Sequence, residues 1–168
     1  MTRGQASLCL TVATGGAILA YVPVGSIAAK IGRKKTILSG IIMMLISFVV
    51  ALIFSMMSDS FHPFLYVLFL LVGFGWAGIN VNSLPMVLEM CKGSDIGKFT
   101  GYYYTFSMSA QIVTPIVAGF LMEHVGYKTL FPYAAVFMII AFITMQFVKH
   151  GDSRDGIKQG LDAFDFED

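Results

Sequence analysis

Apolar residues fill five long blocks of the chain, and charged residues gather in the short segments between them. Residues 8–29, 36–58, 64–88, 99–122 and 129–148 contain no Asp, Glu, Lys or Arg. A membrane-crossing helix needs about 20 mostly apolar residues. Each block therefore predicts one transmembrane helix, and together they predict an all-α membrane bundle of five spans over residues 1–150. The first block is longer than the apolar core of about 7–15 residues in a secretory signal, and its basic cluster follows it rather than precedes it. It is expected to be a mature span. Residues 151–168 are polar and end in Asp162, Asp165, Glu167 and Asp168, which predicts a solvated acidic tail.

The basic residues fall unevenly between the two sides that alternation defines. Lys30, Arg33, Lys34, Lys35, Lys92, Lys98, Lys149, Arg154 and Lys158 share one side, and Arg3 and Lys128 share the other. Basic loops stay in the cytoplasm. The N-terminus is expected outside, and the tail in the cytoplasm beneath a cell membrane.

Composition sharpens this picture. Hydrophobic residues make up 57% of the 168, charged residues only 12%, and mean hydropathy is +0.77. Soluble domains carry about 25% charged residues, so the bilayer is the expected solvent. A net charge of +1 offers no field for nucleic acid. Cys9 and Cys91 fall toward opposite faces of the membrane, too far apart to pair. No metal-ligand spacing is present. His62, His124 and His150 lie in loops or the tail, and no span carries paired acids. Neither an enzyme nor a resident cofactor is expected.

Polar side chains inside spans should face protein or water, because lipid offers them no partner. In the fourth block Thr100, Tyr103, Tyr104, Ser107, Gln111 and Thr114 stand at offsets 0, 3, 4, 7, 11 and 14, which is one face of a helix. Its other side carries Tyr102, Phe106, Val113 and Val117, suited to lipid or packing. The first block aligns Ser7, Thr11, Thr14, Tyr21 and Gly25. The third places Trp76, Asn80 and Ser83 on one face, with Asn82 and Glu89 on another. The second and fifth are nearly bare of polar residues, with Ser47, Ser55, Thr144 and Gln146. The first, third and fourth spans are thus expected to line a cavity, with Thr14, Trp76, Asn80, Tyr103, Ser107, Gln111 and Thr114 as candidate solute contacts. Each has a structural alternative. Ser and Thr bond their own i−4 carbonyls, Asn80 and Asn82 can join helices, and Trp76 can fill space. Gly73, Gly75 and Gly78 suit close helix contact, and Pro23, Pro85 and Pro115 mark kinks or hinges. Glu89, at a span end, is expected to form a gate salt bridge with Lys92 or Lys98, the alternative being a mid-membrane proton carrier.

A pattern recurs. Gly25, five residues, Ile31, Gly32, one residue and Lys34 match Gly119, five residues, Val125, Gly126, one residue and Lys128. The copies are three spans apart and so lie on opposite sides, as an inverted three-helix repeat requires. Helix C-terminal glycines would give part of the same match.

The first copy resembles the Gly-x-x-x-Asp-Arg-x-Gly-Arg-Arg signature of the major facilitator superfamily, through Gly25, Lys30, Gly32, Arg33 and Lys34, with Ala29 at the Asp position. The resemblance implies helices eight to twelve of a twelve-helix secondary transporter. The stretch Gly75–Pro85 and the segment 95–119 are similar to the sucrose and glycoside-pentoside-hexuronide branch of sugar-cation symporters. That likeness implies a sugar-like solute, coupling to a proton or another cation, and a gate built on Gly25, Lys30, Gly32, Arg33 and Lys34 with Glu89 and Lys98. Helices one to seven have no counterpart in the chain, so the missing N-terminal helices or a partner chain are expected to complete the path. The alternative is a truncated remnant serving as an accessory membrane protein.

Overall fold

The computed structural model describes residues 3–58, 61–91 and 93–151. Lys92 and the acidic end of the tail lie outside them. Five helices follow one another: α1 (Arg3–Ile31), α2 (Arg33–Met57), α3 (Phe64–Leu88), α4 (Ile96–His124) and α5 (Leu130–Phe147). All five are long and apolar enough to cross a membrane, and there is no strand among the described residues. The helices do not stop where the apolar blocks stop. α1 and α4 each run 29 residues, about 43 Å at 1.5 Å per residue, against a hydrocarbon core of about 30 Å. Their extra turns are polar or charged, because a helix satisfies its own backbone in the headgroup layer as well as in lipid.

α3 is the hub, with α1 packed along one flank and α2 along the other, while α5 lies on α2. Apolar attraction between helices is weak in lipid, so close approach of backbones has to supply the packing. Glycines provide it. A Cβ at Gly73 would overlap the Ala13 carbonyl of α1, and one at Gly75 would come within 2.7 Å of the Gly40 carbonyl and 2.6 Å of Met44 Cγ on α2. Small residues continue the α1–α3 seam in a buried cluster of Ala17, Ala20 and Ala77. A second cluster joins Ile37 and Ile41 of α2 to Met86 of α3, with Met138, Phe142 and Met145 of α5 packed against it. Asn82 is 2% exposed, and its amide donates to the Gly78 carbonyl at 2.8 Å within its own helix.

α4 is different. It has no buried residue and touches the rest chiefly through a short contact with α3 and with α5.

The repeated sequence is also a repeated backbone. Gly32 adopts φ 97°, ψ 148° and Gly126 adopts φ 117°, ψ 162°. Both values lie where a side chain would clash and glycine does not. At Gly32 the chain leaves α1 and starts α2 at once. At Gly126 it leaves α4, makes one tight turn over Tyr127–Thr129, and enters α5.

Candidate functional site

The Gly32 break sets two basic residues at the very start of α2, and each reaches a different helix. Arg33 forms an ion pair with Glu89, the residue that closes α3. Lys34 turns the other way. Its Nζ donates to the carbonyls of Gln146 (3.1 Å) and Val148 (2.6 Å) at the end of α5. Both targets are helix C-termini, where the unpaired carbonyls and the dipole favour a cation. One end of the bundle is therefore clasped: α2 holds α3 through Arg33 and α5 through Lys34. Glu89, the acid expected to form a gate salt bridge, pairs with Arg33 across two helices, and its expected partner Lys92 lies outside the described residues. Lys98 sits 5.9 Å above the Tyr102 ring centroid, and Lys30 is exposed. Gly25 faces α3, where an added Cβ would meet Val81 at 3.7 Å.

The candidate contact residues divide between two clefts. The first, between α1 and α3, has a volume of about 190 Å³ and brings Thr14 and Tyr21 together with Trp76, over Met44 and Gly73. The Thr14 hydroxyl donates to the Leu10 carbonyl at 2.9 Å, leaving its oxygen lone pairs facing outward as acceptors. Trp76 is half exposed.

The second cleft, between α3 and α4, has a volume of about 580 Å³ and holds Tyr103 and Ser107 together with Val87, Phe99, Tyr102 and Phe106. Tyr102 and Phe106, which the sequence assigned to lipid or packing, share this lining. Tyr103 is fixed there, because its hydroxyl shares a 2.8 Å hydrogen bond with Ser83 of α3. Gln111 lies one turn beyond and donates to Ser107 Oγ at 3.4 Å. It is exposed, as is Thr114. Asn80 is half-buried on α3, and no hydrogen bond joins it to Gln111 among the described residues. Along α4, the hydroxyls of Thr100, Thr105 and Ser109 donate to carbonyls four residues back, at 2.8, 2.8 and 2.7 Å.

The sequence profile of the Major Facilitator Superfamily matches residues 1–161, nearly the whole chain. The chain belongs to the major facilitator superfamily. Two curated proteins are similar in sequence. The MFS-type transporter ppzB of Metarhizium rileyi (strain RCEF 4871) is 28% identical over 134 residues, covering 80% of this chain and 27% of the relative. The chloramphenicol resistance protein CraA of Acinetobacter baumannii is 24% identical over 132 residues, covering 79% of this chain and 30% of the relative. The chain thus spans under a third of the length of either. No solved structure matches it.

As a superfamily member with five apolar helices, the chain is a multi-pass membrane protein of a transporter family. Within this major facilitator bundle, the clasp explains the basic signature: a glycine turn followed by two cations that each find a helix C-terminus. Beside the polar stripe of α4 runs a row of aromatic residues that the sequence analysis did not group. Phe99, Tyr102, Tyr103 and Phe106 stand at offsets 0, 3, 4 and 7, which was the available signal.

Proposed function

We propose that this chain forms part of a secondary active transporter that moves a small solute, a sugar or glycoside, by alternating access, with uptake coupled to protons or another cation. The observation that carries the proposal is the first cleft. The half-exposed Trp76 lines it together with the hydroxyl-bearing Thr14 and Tyr21. A sugar offers the same pairing, with C–H faces that stack on an aromatic ring and hydroxyls that hydrogen-bond. The inverted repeat and the family's alternating-access architecture support the transport cycle. The resemblance of the third and fourth helices to sugar-cation symporters supports the solute class and the coupling. In this reading Gln111 and Asn80 face the solute from α4 and α3, and Thr114 and Ser107 extend the polar face. The remaining walls come from further helices of the same polypeptide or from a partner chain. The membrane is the cell membrane, with the clasp on the cytoplasmic side.

A second solute class has its own support. The lining of both clefts is largely apolar, and one relative is named for chloramphenicol resistance, which favours an amphipathic aromatic solute.

Counterflow in vesicles holding the complete transporter that includes these five helices separates the two. The panel comprises disaccharides, alkyl glycosides and chloramphenicol. Saturable exchange of a sugar or glycoside, lost in Trp76→Ala and retained in Trp76→Tyr, is the expected result. Exchange of chloramphenicol alone would overturn the sugar assignment and leave the transporter. Exchange of nothing in the panel, by protein that folds normally, would overturn the whole proposal.

A further inference from the structure

Among the described residues, α4 meets its neighbours at its two ends and not between them. Near its start Phe99, Thr100, Tyr103 and Ser107 are half-buried. Near its finish Ala118, Leu121 and Met122 border a small gap with Leu130 and Tyr133 of α5. Every residue over 108–117 is exposed, Gln111 and Thr114 included. A helix supported in this way can turn about its own axis unless something fixes its rotation. Apolar contact is non-directional and tolerates such a turn, whereas a hydrogen bond demands one length and angle.

Such a bond is present near the start of α4. The hydroxyls of Ser83 on α3 and Tyr103 on α4 lie 2.8 Å apart and are partly buried. Ser83 is itself oriented, with the Asn80 carbonyl of its own helix in reach at 3.5 Å. Lipid offers neither hydroxyl another partner, which favours keeping the link. Ser107, Gln111 and Thr114 fall within roughly a quarter turn of Tyr103 on the helix. Whatever fixes Tyr103 therefore aims all three.

We infer that Ser83 is a positioning residue for the solute path. Through Tyr103 it sets the rotation of α4 and keeps Ser107, Gln111 and Thr114 turned toward the cavity. The inference rests on the transport proposal above and extends it to a side chain that acts through another.

The test uses the complete transporter that includes these five helices, in vesicles, with Cys9→Ala and Cys91→Ala as the background. Single cysteines are placed at Thr114, on the polar stripe, and at Ile112, about half a turn from Tyr103. Each is labelled with a water-soluble maleimide. Thr114→Cys should react roughly tenfold faster or more, because a thiolate forms in water and not in lipid. Ser83→Ala and Tyr103→Phe should each cut that ratio about threefold, the usual worth of a hydrogen bond between membrane helices. Ser83→Thr keeps the hydroxyl and should preserve the ratio. The double variant should lose no more than either single one, since one bond is at stake. In counterflow, Ser83→Ala should raise the half-saturating solute concentration about threefold with little change in maximal rate.

A labelling ratio unchanged by Ser83→Ala would overturn the positioning role, as would equal labelling at the two positions in the parent. A double variant that compounds the two single losses would overturn it as well, by showing that the hydroxyls act separately. If the parent exchanges no solute while the ratio still depends on Ser83, the rotational role stands and the transport proposal falls.

Discussion

Arg33 and Lys34 are neighbours in sequence, yet successive side chains on a helix point about 100° apart, and that rotation is what lets them reach α3 and α5 separately. Their losses should therefore differ. Arg33→Ala leaves Glu89 facing the headgroup layer without its guanidinium, and should cost about 1–2 kcal/mol, between the values for exposed and buried ion pairs. Arg33→Glu should cost more, and the exchange Arg33→Glu with Glu89→Arg should recover most of the loss. Thermal unfolding of the purified chain in detergent reads all three. In the complete transporter, Arg33→Ala is expected to slow turnover and leave solute affinity largely intact; equal loss of both would indicate misfolding. That Glu89 would pair with a base was legible from its position as an acid at a span end. That Arg33 would be one of its partners was not, because Arg33 comes near only once α2 has packed on α3. Gly73 shows the reverse case, a residue whose role was legible and whose partner is now known. Gly73→Ala pushes a methyl into the Ala13 carbonyl, and overpacking of that kind should destabilise by about 1–3 kcal/mol. Gly97→Ala, with open space around it, should be near neutral in the same melt.

The five helices were legible because lipid permits few alternatives: an uncharged apolar block of this length has to be helical, and charges have to sit between blocks. Their neighbours were not. Periodicity assigns residues to a face but cannot say which helix that face meets. For this reason the polar stripe of α4 was readable, while the participation of Tyr102 and Phe106 beside it was not. The same limit explains the division of Thr14 and Trp76 from Tyr103 and Ser107 into two clefts, since both pairs lie on faces of equal polarity in sequence. The packing also predicts unequal dynamics. α3 is enclosed by α1 and α2, whereas α4 buries nothing. Amide hydrogen exchange in nanodiscs should therefore be slowest in the middle of α3 and markedly faster along α4, since openings cost little where few contacts must break. Comparable protection in both would show that α4 is held by more than its contacts here. At the end of α5 the Lys34 clasp makes a local prediction: Lys34→Ala should speed exchange over the last turn of α5, by a factor that corresponds to about 0.5–2 kcal/mol for a cation on helix-terminal carbonyls.

For the molecule as a whole, the basic asymmetry and the inverted repeat make one claim from two directions. Reporter fusions after Lys35 and at the C-terminus should report cytoplasm, and fusions at Asp59 and Glu123 should report the outside. A cytoplasmic signal at Glu123 would contradict both the orientation and the alternation of spans that sets the Gly32 and Gly126 turns on opposite faces. The lone tryptophan has a further consequence. Excited at the red edge, where tyrosine is silent, the emission of the entire chain comes from one ring in one cleft. Its colour then reports how wet that cleft is, and its quenching reports what enters, so the protein carries an optical probe of its own α1–α3 cavity without any label.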